Sequence, residues 1–246
     1  MNGWHMELRD TATLEAPTRC AVASVFAQAF TLQNSAEACL IPYFTRVRQI
    51  WIARRWGTLV AFQFYQRLTV DRYDVHHFSL AAKLPSPAGR GVQARFGRFL
   101  IGRFAWRTAP WRPVLLAGVT NNIRSYANMY GVGCTVYPDV LRPSCQNPFG
   151  DLYQRVGEAL GFISLDARGV LRNRTQGMGF DLIQDLGADH PLGAAYASYV
   201  DQDLRNGIFV LARLTPWRDV PRYVLKRFFQ SRSVGSRMPA LSGRSQ

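Results

Sequence analysis

The stretch Leu84–Trp106, LPSPAGRGVQARFGRFLIGRFAW, connects a predicted strand to a predicted helix. It begins as a loop rich in proline and glycine, passes the pair Arg90-Gly91, and continues as a helix predicted over about 91–106. The first turn of a helix carries backbone N–H groups without intrahelical partners, and the helix dipole is positive there. The stretch therefore predicts an anion site at the helix start. The alternative is a loop and a helix start that bind no ligand. It explains the same residues and remains open.

Strand patterns lie on both sides of this loop. Two β-rich runs within Gln49–Val70 flank the turn sequence Arg55-Trp56-Gly57, and a third run covers Arg72–Leu84. After the predicted helix, Pro113–Thr120 is short, continuous and apolar, as buried strands are. The next residues, NNIRSYANMYG, predict a helix that has asparagine in its N-cap region.

The N-terminal residues add a strand at Trp4–Arg9 and a helix at Ala16–Phe30. A second helical segment, SAEACLIPYFTRVRQ, contains Pro42, and we expect a break or a new start there. Strands that alternate with helices in this order predict an α+β fold with α/β-like layers, in which helices flank a mixed central sheet.

The C-terminal half has weaker patterns. We expect a helix in NPFGDLYQRVGEALG, short strands in GFISLD and GVLRNR, and a helix from His190 that ends at Gly207. A strand at Ile208–Leu214 and a final basic helix follow. The sequence therefore predicts a core over 1–140, an α+β extension over 141–230 that packs on or continues the core, and a disordered basic tail over 231–246.

The net charge of +14 comes almost entirely from arginine, since the chain has two lysines, Lys83 and Lys226. A basic surface of this kind binds nucleic acid, binds an anionic small molecule, or is simply solvated. The sequence contains none of the usual zinc-finger, heptad or RNP-type motifs of nucleic-acid-binding proteins.

Other classes of protein are disfavoured by what the chain contains. Its longest apolar runs are too short to span a membrane, and its first residues have no apolar signal-peptide core, so we expect a cytoplasmic protein. The four cysteines form no CxxC pair, and the four histidines are scattered apart from the pair His76-His77, so no metal site is expected. The cysteines are Cys20, Cys39, Cys134 and Cys145.

The segment SLAAKLPSPAGRGVQARFGRFL, followed by VLLAGVTNNIRSYANMYG, resembles the GNAT superfamily of coenzyme-A-dependent N-acyltransferases. The resemblance covers about Trp4–Asp139. In that family the fourth strand leads into a loop of the form Arg/Gln-x-x-Gly-x-Gly/Ala, which begins a helix and holds a pyrophosphate. Counted from Arg90, this chain has Gln93 and Arg95 at the two glycine or alanine positions, with Gly91 and Ala94 beside them.

The resemblance implies an α+β GNAT-like fold that binds acetyl-CoA or another acyl-CoA as co-substrate. Arg90 would be the cationic clamp, helix-start N–H groups would hold the pyrophosphate, and the fourth strand would lie along the pantetheine. The two asparagines after the fifth strand would cap the helix, contact pantetheine, or do both. The implied binding residues are Leu80, Ala81, Ala82, Arg90, Gly91, Val92, Gln93, Ala94, Arg95, Asn121 and Asn122.

Two residue pairs are candidates for the chemistry. His76 and His77 are neighbours on the predicted fourth strand and point to opposite faces, so one of them can face substrate as a general base. Ordinary hydrogen-bonded histidines are the alternative. Tyr126 and Tyr130 lie four residues apart on one helix face. The resemblance implies that a tyrosine on this helix protonates the leaving thiolate; core packing is the alternative. Cys134 as an acyl-accepting nucleophile is a weaker candidate.

Two functions follow from these observations. The first is an enzyme that moves an acyl group from an acyl-CoA thioester to an amine on a small molecule or peptide. The second is a catalytically inactive GNAT-like protein whose arginines bind nucleic acid or another anionic partner. The altered glycine pattern favours the second, whereas the histidine pair and the tyrosine helix favour the first. The sequence defines neither the acceptor, nor the acyl length, nor the oligomeric state.

Overall fold

The computed structural model describes residues 3–92, 95–97, 99, 112–132, 135–162, 165–172, 178–181, 190–203, 205–219 and 221. Within these residues, eight strands form one mixed sheet, and a separate two-stranded sheet joins two short segments. The strands are β1 Trp4–Asp10, β2 Thr31–Leu32, β3 Gln49–Arg55, β4 Thr58–Val70, β5 Tyr73–Lys83, β6 Val114–Thr120, β7 Thr135–Tyr137, β8 Val170–Leu171, β9 Phe180–Asp181 and β10 Gly207–Leu214.

Helices cover both faces of the large sheet. They are α1 Ala16–Ala29, α2 Ala36–Arg46, α3 Ile123–Val132, α4 Asp151–Ala159 and α5 Gly193–Tyr199, with a 3₁₀ turn at Pro87–Gly89. Helices α1 and α2 pack on one end of one face, and α4 packs on the other end of that face. Phe96 and Phe99, together with α3 and α5, pack on the opposite face. The structure confirms the predicted α+β class with a mixed sheet between helices.

The strand order of the large sheet is β1-β3-β4-β5-β6-β10-β7, and β8 also pairs with β10. Neighbouring strands are antiparallel except for β5 and β6, which run parallel. The C-terminal strand β10 therefore lies inside the sheet and continues it. The residues within 141–230 thus contribute two strands, β8 and β10, to the same sheet as the N-terminal half, while the domain boundaries themselves stay a prediction.

A β-bulge in β5 changes which face its side chains occupy. Tyr65 of β4 pairs with Phe78, but Gln63 pairs with Ala81, so β5 carries one extra residue between these positions. An extra residue reverses the alternation of side chains along a strand. As a result, Phe78 packs on the face of Phe96, whereas Leu80 packs under α1 and α2 on the other face.

The predicted break at Pro42 is wrong. Helix α2 continues through this proline to Arg46. Proline leaves the carbonyl of Ala38, four residues earlier, without its helical donor. Both residues are exposed, so water can bond that carbonyl, while Cys39 and Leu40 on the inner side hold the helix to the core.

One C-terminal prediction also differs from the structure. The helix expected from His190 to Gly207 is shorter, because α5 ends at Tyr199 and Gly207 begins β10. For the strand expected in GFISLD, the structure describes a bridge between Leu165 and Leu171, while residues 163 and 164 lie outside the described residues. Most of the predicted helix 91–106, most of the final basic helix and the tail 231–246 lie outside the described residues.

Candidate functional site

The parallel strands β5 and β6 part at one end of the sheet. They pair from Asp74–Val114 to Phe78–Gly118, and no pairing between them is described beyond this point. Strand β5 nevertheless continues to Lys83, while β6 stays paired with β10 as far as Thr120. The edge of β5 from Ser79 onward therefore has backbone groups available on the side of β6, which is where an extended ligand chain can bind.

Gly118 marks the point of divergence. A Cβ atom there would lie 3.2 Å from the Phe78 carbonyl oxygen and 3.8 Å from the Met129 sulfur atom. Glycine allows the two strands to approach closely just before they separate. Met129 of α3, rather than either candidate tyrosine, thus lies over this position.

The loop after β5 leads into a helix start at the same end of the sheet. The Leu84 N–H donates to the Val60 carbonyl at 2.9 Å, and the turn Pro87–Gly89 follows. A Cβ at Gly89 would collide with the Leu84 carbonyl oxygen, so this glycine allows the loop to fold back on itself. Gly91 has a φ of +78°, and its carbonyl accepts the Arg95 N–H at 3.2 Å. Gly91 is therefore the cap of the predicted helix.

The surroundings of this helix start suit an anion. Arg90 is exposed and has no carboxylate partner in the part of the chain that the structure describes. Apart from Gly91 and its chain neighbours, no atom of the described residues lies within 4 Å of a Cβ built at Gly91, which leaves room above the helix start. The predicted donors Gly91 and Val92 lie at this start, whereas Gln93 and Ala94 are outside the described residues. Arg95 places its guanidinium over the Trp4 ring at 4.9 Å.

The three strand residues predicted to line a pantetheine differ in orientation. Leu80 and Ala82 are buried in the core cluster under α1 and α2, and Ala81 is exposed. The side chains of Leu80 and Ala82 are therefore part of the core. The backbone edge that they share is the part of β5 available to a ligand.

The two histidines lie on opposite faces, as the alternation of a strand predicts, and both are buried. The His77 ring meets the edge of Phe162 at 5.9 Å on the face that α4 covers. His76 is on the face of Phe78 and Phe96 and stacks on Tyr65.

His76 belongs to a row of polar groups across β4 and β5. Its Nδ1 lies 2.5 Å from the Tyr65 hydroxyl, and its Nε2 lies 3.5 Å from an Asp74 carboxylate oxygen. Arg67 donates to Asp74 through Nε and Nη2 at 2.7 and 2.6 Å, and Asp74 raises the pKa of this guanidinium through those hydrogen bonds. A carboxylate beside one nitrogen and a phenol beside the other orient the imidazole and connect it to a proton donor and acceptor.

Tyr65, Asp74 and Arg67 are the residues that the sequence reasoning missed. A signal for them existed in the strand pattern. Asp74 and His76 are two residues apart and share a face, and the hairpin places Arg67 directly opposite His76. Strand alternation alone therefore pointed to a polar group around His76.

The structure separates the roles of the two tyrosines. Tyr126 is fully buried; its hydroxyl donates to the Pro138 carbonyl at 2.9 Å and accepts the Val140 N–H at 3.2 Å. Burial raises the pKa of Tyr126 well above its ordinary value. This hydroxyl ties α3 to the segment after β7. Tyr130 stacks on Tyr126, with ring centroids 5.8 Å apart, and is partly exposed.

The two asparagines stabilise the junction between β6 and α3. Asn122 Oδ1 accepts the N–H groups of Arg124 at 2.8 Å and Ser125 at 3.3 Å, which confirms the predicted helix cap. Asn121 Nδ2 donates to the Asn206 carbonyl at 2.9 Å. The junction is thus fixed to the start of β10.

Three further features of the described residues concern metal ions, membranes and cysteines. Among the described residues, no group of three or more His, Cys, Asp or Glu side chains is placed to hold a metal ion. Within the same part of the chain, every helix is too short or too polar to cross a bilayer. Cys20 is exposed, Cys39 is buried and Cys145 is intermediate, while Cys134 lies outside the described residues.

Comparisons with known proteins give structural matches only. No family model and no curated protein matches the sequence. The chain is similar to the Escherichia coli ribosomal-protein-S18-alanine N-acetyltransferase, with a TM-score of 0.38 and 16% identity over 54% of this chain and 81% of that one. It is similar to N-acetylglutamate synthase from Neisseria gonorrhoeae, with a TM-score of 0.39 and 12% identity over 85% of this chain and 35% of that one.

A third match is the glucosamine N-acetyltransferase region of a fungal multi-domain β-N-acetylglucosaminidase, with a TM-score of 0.34 and 17% identity. It covers 47% of this chain and 14% of the fungal protein, so the chain spans a small part of that protein's length. The described order of elements, from β1 through the parallel pair β5 and β6 to α3, is the order that the GNAT resemblance predicts.

Proposed function

We propose that this protein is a GNAT-like N-acyltransferase, which moves an acyl group from a coenzyme A thioester to an amine. The observation that carries the proposal is the divergence of the parallel strands β5 and β6 after Phe78 and Gly118. Next to that gap lies a helix start that is capped by Gly91. Arg90 beside it is exposed and has no carboxylate partner among the described residues. An extended thioester arm fits the open strand edge, and a pyrophosphate fits the helix start.

The residues present fit coenzyme A in two respects. Gly91 leaves open space among the described residues where a phosphate has to approach the backbone, and Arg90, which has no carboxylate partner among those residues, supplies a guanidinium for it. Beyond Phe78, where the described pairing with β6 ends, the edge of β5 offers N–H and C=O groups to the amides of pantetheine. Coenzyme A would supply the activated thioester, and the protein would bind it, orient it and move protons.

The reaction that we propose is a direct transfer. The amine nitrogen attacks the thioester carbonyl carbon and forms a C–N bond, and the C–S bond then breaks. The amine loses one proton, and the leaving thiolate gains one. These two protons define the two roles that the protein has to fill.

We assign the base role to His76 and the acid role to Tyr130. The hydrogen-bonded contact with Tyr65 and the nearby Asp74 carboxylate hold the His76 ring in one orientation, as a general base requires. His77 faces Phe162 on the other side of the sheet and is the structural member of the pair. Tyr126 has its hydroxyl engaged with Pro138 and Val140, so Tyr130 is the tyrosine of the pair left to protonate the thiolate.

Release of free thiol from acetyl-CoA tests the proposal. The purified protein is incubated with acetyl-CoA and with separate pools of amino acids, polyamines, peptides and aminoglycosides. We expect thiol release that depends on one pool and an acylated amine in the same pool by mass spectrometry. Bound coenzyme A without transfer to any amine would contradict the enzyme and favour a binding protein of this fold.

A further inference from the structure

The tip of the β3–β4 hairpin exposes a tryptophan among arginines. Trp56 has 71% of its surface exposed and a φ of +55°, a conformation that bulky residues rarely adopt. The backbone N–H of Trp56 donates to the Gly3 carbonyl at 2.7 Å. A Cβ at Gly3 would lie 2.6 Å from the Trp56 ring, so one part of the indole rests on this glycine while most of the ring is open to solvent.

Two arginine side chains near the hairpin tip are held in place by a second tryptophan, Trp4, which pairs with Arg55 on the neighbouring strand. The guanidinium of Arg55 lies over the Trp4 ring at 5.6 Å, and that of Arg95 lies over the same ring at 4.9 Å. Arg55 also donates to the Pro87 carbonyl at 3.2 Å, which joins the hairpin to the loop that contains Arg90. We name Trp4, Arg55, Trp56 and Arg95 the Trp56 patch.

The described residues do not neutralise the charge of the Trp56 patch. Arg55 and Arg95 have no carboxylate partner among the residues that the structure describes. Elsewhere arginines pair closely with acids, for example Arg168 with Asp201 at 2.9 Å and Arg142 with Asp139 at 2.8 Å. The patch therefore combines an exposed aromatic face with fixed, uncompensated positive charge.

We propose that the Trp56 patch binds single-stranded nucleic acid. An unpaired base stacks on the open face of an indole, and guanidinium groups bind the flanking phosphates. A duplex keeps its bases stacked on each other and offers no face to Trp56. A bilayer surface fits less well, because insertion requires several apolar side chains together. Among the described residues, the other large exposed apolar side chains are on different segments: Ile41, Leu141 and Trp217.

Fluorescence anisotropy with short labelled oligonucleotides of mixed sequence tests this proposal. We expect binding of single-stranded RNA or DNA that is stronger than binding of the matching duplex, and the two single strands show which sugar is preferred. Trp56→Ala should weaken the affinity about 5- to 150-fold, the range for the loss of one base stack. Arg55→Ala should reduce the slope of log affinity against log salt by about 0.7, which corresponds to one phosphate contact.

The chain offers a matched control in Trp217. Its side chain is 62% exposed and follows the end of β10 that pairs with Val114, at the opposite end of the sheet from Lys83. Trp217→Ala should leave the affinity unchanged. Equal weakening by Trp217→Ala and Trp56→Ala, or binding to anionic vesicles but not to oligonucleotides, would overturn the proposal.

Two further measurements distinguish loss of nucleic-acid binding from misfolding of a variant and from failure of the proposed enzyme function. Ultraviolet cross-linking of the unmodified protein to RNA should label the tryptic peptide Trp56–Arg67, and a cross-link confined to other peptides would contradict the patch. Trp56→Ala should also keep the affinity for coenzyme A, since Trp56 is outside the proposed co-substrate site. Failure of nucleic-acid binding and failure of coenzyme A binding are therefore distinguishable.

Discussion

Arg90 is the exposed cation closest in sequence to the glycine-capped helix start. If it clamps the pyrophosphate, Arg90→Ala removes a charge-assisted hydrogen bond and should weaken coenzyme A binding by about 1.5–3 kcal/mol. Isothermal titration calorimetry measures this loss. Arg72→Ala, which removes an exposed arginine at the other end of β5, is the control and should not change the affinity. Equal affinities of the Arg90 variant and the unmodified protein would exclude the clamp.

His76 is expected to matter for turnover and His77 for stability. His76→Ala should lower kcat about 10²–10⁴-fold, the usual contribution of a general base, with coenzyme A affinity nearly unchanged. Asp74→Asn should lower kcat to a smaller extent, because the ring keeps its Tyr65 contact. Steady-state kinetics of these two variants and of His77→Ala give the comparison. A His77→Ala variant with the larger kcat loss would reverse the assignment.

The tyrosines make a complementary pair of expectations. Tyr126→Phe should lower the free energy of unfolding by about 1–3 kcal/mol, because it leaves the buried Pro138 carbonyl and Val140 N–H without their partner. Tyr130→Phe should leave stability nearly unchanged and lower kcat. Urea unfolding and kinetics separate these effects. If both variants keep full activity, water or another group protonates the thiolate.

At the scale of the element, the loop between β5 and the following helix depends on Gly89. Gly89→Ala places a methyl group on the Leu84 carbonyl oxygen, so the backbone has to shift. We expect a lower melting temperature and weaker coenzyme A binding from the same change. Ser86→Ala is the control, since Ser86 is exposed and makes no capping hydrogen bond. A Gly89→Ala protein with unchanged melting temperature and affinity would contradict this structural role.

The strands and helices around the loop were predictable because their signals are local. The β-rich runs in Gln49–Val70, the apolar run at Val114–Thr120 and the asparagine before α3 each determine an element within a few residues. The continuation of α2 through Pro42 was not predictable, because it depends on Cys39 and Leu40 packing against other elements. Tertiary contacts here outweigh a local preference of proline.

The site was predictable only in part for the same reason. The two histidines and the helix start follow from the sequence pattern, but the partner of each side chain does not. The bulge between Phe78 and Ala81 decides which face Leu80 occupies, and no local residue preference marks it. The engagement of Tyr126 with Pro138 depends on the fold of the segment after β7. Long-range pairing supplies what the pattern lacks.

At the scale of the whole molecule, two halves of the chain build one sheet. Strand β10 lies between β6 and β7, so residues far apart in sequence support the strand on which the proposed site depends. Within the described part of the chain, the positive charge is also arranged unevenly: several arginines pair with acids, whereas those of the Trp56 patch and Arg90 do not. The end of the sheet where β5 and β6 part is therefore the end best suited to anionic ligands.

Calorimetric titration of coenzyme A into the unmodified protein tests whether the protein binds the co-substrate of the proposed reaction. We expect saturable binding of one coenzyme A per chain, and a stabilisation of about 2.7 kcal/mol at a ligand concentration one hundred times Kd. The melting temperature should rise accordingly. A folded protein that gives neither binding heat nor a change in melting temperature with saturating coenzyme A or acetyl-CoA would contradict the proposed acyltransferase function.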